Sequence, residues 1–174
     1  YAVALLLPFM LDELDASPGR KRNQIVLDFY EGIKLAVDSL NSRGPRIELR
    51  AYDSEKGMDY VRKTLQTEEL INTDLVIGPL NSVVQEFSMS NQVNVVNPFS
   101  NSTEFTGSNP YAFLFQPSSE TLGRKAADYI SGRPRKKVCM VIAGTTKKDS
   151  VLGANFTQKA NELGMTIVAN RSFA

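Results

Sequence analysis

Residues 74–87 read "DLVIGPLNSVVQEF". An apolar run, Leu75-Val76-Ile77, stops at Gly78-Pro79, two short polar residues follow, and the pattern then becomes helical. A strand that ends at a Gly-Pro turn and feeds a helix is half of a βαβ unit. Ser82-Val83-Val84-Gln85 fits the S-x-x-Q capping box, so Ser82 is expected to cap that helix, with Gln85 reaching back. A capping serine still leaves other backbone N–H groups of its helix unpaired, so Ser82 is read either as a cap alone or as a cap that also faces a ligand. Asn81 stands beside it with the same two readings.

The same alternation extends in both directions. "YAVALLL" (1–7) is an apolar run of strand length. "IVLDFYEGIKLAVDSLNSRG" predicts a helix with Phe29, Ile33, Ala36, Val37 and Leu40 on one face, stopped by Gly44-Pro45. "RIELRAY" (46–52) alternates as a strand, a helix is expected over 56–71 through Val61 and Leu65, and "VNVV" (93–96) is a fourth strand closed by Asn97-Pro98. Apolar strands alternating with helices predict an α/β fold, a parallel sheet with helices on both faces. After the turn-rich stretch "NPFSNSTEFTGSNP" the pattern restarts. "YAFLF" (111–115) is extended, residues 119–132 read as a helix with Leu122, Ala126, Tyr129 and Ile130 inward, and "KVCMVIAG" (137–144) reads as a buried strand. A helix through Leu152, Phe156, Ala160 and Leu163 and a strand at "MTIVAN" (165–170) follow. Two lobes are expected, an N-terminal α/β lobe over 1–110 and a crossover with a partial second lobe over 111–174. So few strands cannot be covered on both faces, so further chain is expected after Ala174. A start at Tyr1 without Met points to residues upstream as well.

Composition narrows the function. The 174 residues are 42% hydrophobic and 22% charged, with a net charge of +1, which is ordinary globular composition without the basic face that nucleic acid requires. The basic clusters Arg20-Lys21-Arg22 and Arg133 with Arg135-Lys136-Lys137 are read as solvated loop charges. Histidine is absent, which removes the commonest general base and the commonest metal ligand, so no catalytic residue, metal site or cofactor is expected. Asp12, Glu13 and Asp15 form an acidic loop without ligand spacing, and no G-x-x-x-x-G-K-S/T or G-x-G-x-x-G occurs. The single cysteine, Cys139, is apolar-flanked and is read as a buried small hydrophobe. No run approaches the ~20 apolar residues that span a bilayer.

Ligands of an open parallel sheet bind beyond the carboxyl ends of its strands. The loops there are "PFMLDELD", "DSEK", "GPLNS" and "NPFSNST", the last two rich in hydroxyl and amide side chains. Asn81, Ser82, Ser100, Asn101 and Ser102 are therefore the candidate ligand-binding residues, with turn formation as the competing reading of the last three. Asp53, at the end of strand two, is read as a solvated turn aspartate, with orienting a loop or contacting a ligand as the alternatives.

The stretches "FYEGIKLAVDSLNSRG", "RIELRAYDSEK", "DLVIGPLNS", "VNPFSNST" and "NPYAFLFQPSSETLGRKAADYI" follow the order, and nearly the spacing, of type I periplasmic-binding proteins. The chain thus resembles the leucine/isoleucine/valine-binding-protein-like receptors over essentially all its length. "ALLLPFM" with "FYEGIKLAVDSL" is similar to the branch joined to LysM modules in bacterial cell-envelope proteins. The resemblance implies two lobes around a ligand cleft and a periplasmic or cell-envelope location. It implies a small polar ligand such as an amino acid or peptide as one partner, with peptidoglycan or envelope proteins as the alternative. It sets Ser82 where such receptors hold a ligand carboxylate, and Ser100 and Asn101 in the contact loop after strand four. Two positions depart from the family pattern. Asn101 replaces the usual Thr, and Leu152-Gly153 replaces a frequent Tyr-Gly whose ring packs over the ligand.

Overall fold

The computed structural model describes residues 1–11, 24–79, 81–104, 106–133 and 138–173. The chain forms two compact units, Tyr1–Phe115 and Gln116–Ala174. Among the described residues no helix is long and apolar enough to cross a membrane.

Unit 1 is a five-stranded sheet in the order β2-β1-β3-β4-β5, all neighbours parallel. The strands are β1 (Ala2–Leu7), β2 (Glu48–Asp53), β3 (Leu75–Ile77), β4 (Asn94–Asn97) and β5 (Ala112–Leu114). The helices are α1 (Gln24–Asn41), α2 (Met58–Leu65), α3 (Glu68–Ile71) and α4 (Ser82–Asn91). β1 is apolar throughout because its period-2 side chains enter two different cores. Leu5 and Leu7 join Phe9 under Val26, Leu27, Phe29, Tyr30 and Ile33 of α1. Ala4 and Leu6 pack on the other face with Val76, Val95, Val61, Leu65, Leu70, Val84 and Phe87. Each fully buried Leu or Val contributes roughly 1.5–3 kcal/mol of transfer free energy.

Three expectations need correction here. The inward stripe of α1 runs through Val26, Phe29, Tyr30, Ile33 and Val37, while Ala36 and Leu40 are exposed. Starting the face at Phe29 missed Val26, and counting forward by threes and fours carried the stripe one residue round the cylinder. The helix expected over 56–71 is broken at Gln66-Thr67 into α2 and α3, after a 3-10 turn at Ser54–Lys56. Thr67 is extended and its hydroxyl bonds the Thr64 carbonyl, a local bond that competes with helix continuation. The extended segment at 111–115 belongs to the first sheet, since β5 pairs with β4 (Val96↔Phe113) and Phe115 N–H donates to Asn97 O. The change of unit therefore falls after Phe115 rather than after 110.

The return from β4 to β5 has no helix and is held by a buried polar cluster. Asn109, only 2% exposed, donates from Nδ2 to Ser88 Oγ (3.3 Å) and accepts from Tyr111 N–H. Ser88 Oγ in turn donates to Val93 O at 2.8 Å. Satisfying these groups offsets their desolvation and fixes the loop across α4.

Unit 2 contains α5 (Ser119–Ser131), β6 (Val138–Gly144), α6 (Lys147–Glu162) and β7 (Thr166–Phe173), with β6 and β7 parallel. The inward face of α5 is Ser119, Gly123 and Ala127, while Leu122, Tyr129 and Ile130 are exposed. The cause is close helix packing, since a Cβ on Gly123 would lie 2.4 Å from Leu152 O of α6. Large side chains are excluded from that contact, so the small residues define the face. β6 reads as a buried strand in the sequence, yet Met140 and Ile142 are exposed on one face. Cys139 lies half-buried with Ala160, Met165 and Phe156 on the other.

Candidate functional site

Where consecutive connections leave a parallel sheet in opposite directions, their loops open a crevice at the carboxyl edge. In unit 1 the chain passes from β1 to β2 on one side, then returns across β1 to β3 on the other, so the switch lies between β1 and β3. Gly78 closes β3 against β1, where any Cβ would lie 2.5 Å from Leu6 O. Its N–H donates to Val96 O at 3.0 Å.

Asn81, not Ser82, caps α4. Its backbone is extended and its Oδ1 accepts from Val84 N–H at 3.0 Å, while its carbonyl accepts from Gln85 N–H at 2.9 Å. Ser82 moves to the first helical position, and Gln85 turns away to Ser108 Oγ at 3.4 Å instead of reaching back. Both Asn and Ser cap well, and the sequence pattern fitted the second by one residue. The consequence is chemical. With capping done by Asn81, the exposed Ser82 hydroxyl and the backbone N–H groups of Ser82 and Val83 have no hydrogen-bond partner among the described residues. These donors converge on the positive end of a ten-residue helix.

The loop after β4 lies next to them, since Ile77 and Val96 are register partners. It is built on side-chain-capped turns. Buried Asn97 accepts at Oδ1 from Phe99 N–H (3.1 Å) and Ser100 N–H (3.2 Å). Ser100 Oγ accepts from Ser102 N–H (3.1 Å) and Ser102 Oγ from Glu104 N–H (3.3 Å). Ser100 and Ser102 thus shape the loop, as the turn reading expects, and their hydroxyl protons stay available. Asn101 is half-buried and its amide side chain has no partner among the described residues. Phe99 packs edge-on to Phe29 of α1, with centroids 5.3 Å apart, which ties this loop to the helix after β1.

Asp53 is not solvated. It is 4% exposed and accepts from Leu11 N–H (2.9 Å), Glu55 N–H (3.1 Å) and Met10 N–H (3.3 Å). Burial pushes its carboxyl up, but the amides of Leu11, Glu55, Met10 and Phe9 together outweigh that and hold it below the ordinary carboxylate range. A strand-terminal Asp followed by Ser-Glu carried a cap signal, and only the fold revealed the second loop that it holds. Asp12, Glu13, Asp15 and the basic residues 20–22 and 135–137 lie outside the described residues. Among the described residues no group of three or more His, Cys, Asp or Glu side chains is placed to hold a metal ion.

Each unit also carries a concavity of its own. One of about 230 Å³ opens on the helical layer of unit 1 between α2 and α4, lined by Arg62, Leu65, Val83, Glu86 and Phe87. The other, of about 280 Å³ in unit 2, is lined by Met140, Ile142, Asp149, Leu152 and Phe156 at the end of β6. Leu152, where the resemblance implied an aromatic ring, contributes an aliphatic wall there.

A parallel sheet whose switch point meets a helix start with unpaired donors is the architecture of a ligand-binding α/β lobe. The family profile described as periplasmic binding protein matches residues 26–174, and the chain belongs to that family, in its type I form. Among solved structures it is similar to a putative branched-chain amino acid ABC transporter from Rhodospirillum rubrum. That match has 15% identity and TM-score 0.77, covering 98% of this chain and 49% of that one. It is also similar to an ABC transporter substrate-binding protein from Desulfitobacterium hafniense in complex with Leu (23% identity, TM-score 0.61, 99% and 50% covered). A third is a solute-binding protein from R. palustris in complex with benzoate (18% identity, TM-score 0.54, 99% and 48% covered). At these identities the likeness concerns the fold, and the chain spans about half the length of each. No curated protein matches it.

Proposed function

We propose that this chain is part of an extracytoplasmic solute-binding receptor that holds a small polar ligand, such as an amino acid or peptide, without transforming it. The observation that carries the reading is the α4 start at the β1/β3 switch point, where Ser82 Oγ–H and the Ser82 and Val83 N–H groups are unpaired among the described residues. Such a donor set suits a carboxylate, whose charge the helix end stabilises by roughly 0.3–1 kcal/mol beyond the hydrogen bonds. Leucine and benzoate, bound by two of the similar proteins, share an apolar body and a carboxylate. Asn81 through its free amide, Asn101, and the Ser100 and Ser102 hydroxyls complete the proposed edge.

A thermal-shift screen of the full-length protein with amino acids, short peptides, sugars and muropeptides tests this. A ligand at 100 times its Kd stabilises by about 2.7 kcal/mol. A carboxylate ligand that raises Tm in the wild type and not in Ser82→Ala supports the reading. An equal shift in the variant refutes the site.

One observation favours a second reading. Leu152 leaves unit 2 without the ring that amino-acid receptors close over their ligand, so the fold would serve as a cell-envelope scaffold or regulatory module of the LysM-linked kind. Capture of peptidoglycan or an envelope protein by a full-length protein silent to every solute supports that alternative. A defined solute hit refutes it.

A further inference from the structure

We propose that Asp53 is a positioning residue for solute binding, which locks the loop after β1 into a left-handed turn beside the β1/β3 switch point. The proposal rests on the receptor reading above and concerns a residue outside the proposed donor set.

The chain leaves β1 at Leu7 and within three residues reaches Met10, whose φ is +54°. A non-glycine residue in that region carries steric strain, which persists only where surrounding structure over-determines it. Asp53 is what over-determines it. β1 and β2 pair so that Leu7 faces Asp53, and the carboxylate therefore sits beneath the emerging loop. It takes the Met10 and Leu11 N–H groups, one on each oxygen (3.3 and 2.9 Å), so both amides flanking the strained turn end on the same buried group. Among the described residues no Lys or Arg pairs with Asp53, and backbone donors compensate its charge. A buried anion is costly unless the amides that hold it are in place, so the loop and the carboxylate fix each other.

The neighbouring residues make the turn rigid from the other side. Phe9 is buried and meets the Tyr30 ring edge-on at 5.3 Å, anchoring the loop to α1. Half-buried Met10 is thereby held beyond the carboxyl end of β1, next to β3, the strand that delivers Ser82. A loop already fixed in its bound shape loses no ordering entropy when solute arrives.

A purely local role is the competing explanation, because Asp53 also caps the 3-10 turn through Glu55 N–H. The test separates the two with Asp53→Asn, which keeps the shape but turns a donor toward one of the amides, and with Met10→Gly added, because glycine adopts the left-handed turn without strain. Full-length wild type, Asp53→Asn and the double variant are titrated with L-leucine, and amide exchange is followed at Met10, Leu11, Glu55 and Leu6. The expected result is at least about tenfold faster exchange at Met10 and Leu11 in Asp53→Asn, unchanged exchange at Leu6, and an affinity loss of about tenfold. Met10→Gly is expected to recover much of the affinity while Glu55 stays unprotected. Unchanged exchange at Met10 and Leu11, or full affinity in Asp53→Asn, overturns the proposal. The two failures are distinguishable. Wild-type protein silent to L-leucine and to every solute of the thermal-shift screen refutes the solute reading, whereas wild-type binding kept intact in Asp53→Asn refutes the positioning role alone.

Discussion

At the residue scale, Asp53 and Ser82 show the difference between a polar group spent on the fold and one left over. Asp53 has all its hydrogen bonds inside the protein, so its effect is read in stability. Its folded-state pKa lies below the unfolded value of about 3.9, so its contribution is present above that pH and is lost as pH falls through the lower folded value. Thermal unfolding of the wild type followed from pH 6 to pH 2 should show Tm falling more steeply below about pH 4 than in Asp53→Asn. Parallel curves would contradict the account. The Ser82 hydroxyl, by contrast, has no hydrogen-bond partner among the described residues, and Ser82→Ala should leave the unfolding free energy within about 0.5 kcal/mol of the wild type. The sequence showed both residues and left each with more than one reading, favouring a cap for Ser82 and a solvated turn for Asp53. Ser82 matched a capping pattern and Asp53 looked like a turn residue, because the partners that decide them, Asn81 on one side and Met10-Leu11 on the other, become visible only when β1 and β2 are side by side.

At the scale of elements, α4 depends on its cap and α5 on a glycine. Asn81→Ala removes the acceptor for Val84 N–H and should destabilise by about 1 kcal/mol, measured by denaturant titration. Gly123→Ala forces a methyl group to within 2.4 Å of Leu152 O, a backbone atom that cannot swing aside. The expected cost is roughly 1–3 kcal/mol, with loss of protection in α5 and α6 and none in β1. Strand and helix order along the chain was legible, because periodicity is a local property. The inward faces of α1 and α5 were less so. A face is set by what it packs against, and in α5 the decisive contact is absence of side chain at Gly123, which hydrophobic periodicity counts as nothing. The break between α2 and α3 escaped notice for a similar reason, since Thr67 is compatible with a helix until its hydroxyl bonds the carbonyl three residues back.

At the scale of the molecule, unit 1 has a core on each side of its sheet, and β1, between β2 and β3, supplies both. Leu70 of α3 is fully buried in one of them, so Leu70→Ala should cost about 2–5 kcal/mol in unit 1. The parallel order, with its switch between β1 and β3, turns a sequence of ordinary apolar strands into an edge where loops from distant positions meet. That edge was legible in outline, because hydroxyl- and amide-rich loops follow two adjacent strands. The donors proposed for it were not, because a hydrogen bond inside the loop and one left unpaired look the same in sequence.

The central claim is that the α4 start receives a carboxylate, and calorimetric titration tests it with two ligands that differ only there. Full-length protein is titrated with L-leucine and with 3-methylbutylamine, which lacks the carboxylate, in wild type and Ser82→Ala. The account predicts that the wild type binds leucine and not the amine, and that Ser82→Ala weakens leucine by about tenfold or more, the worth of a charge-assisted hydrogen bond. Equal affinity for the two ligands, or full leucine affinity in Ser82→Ala, would contradict it.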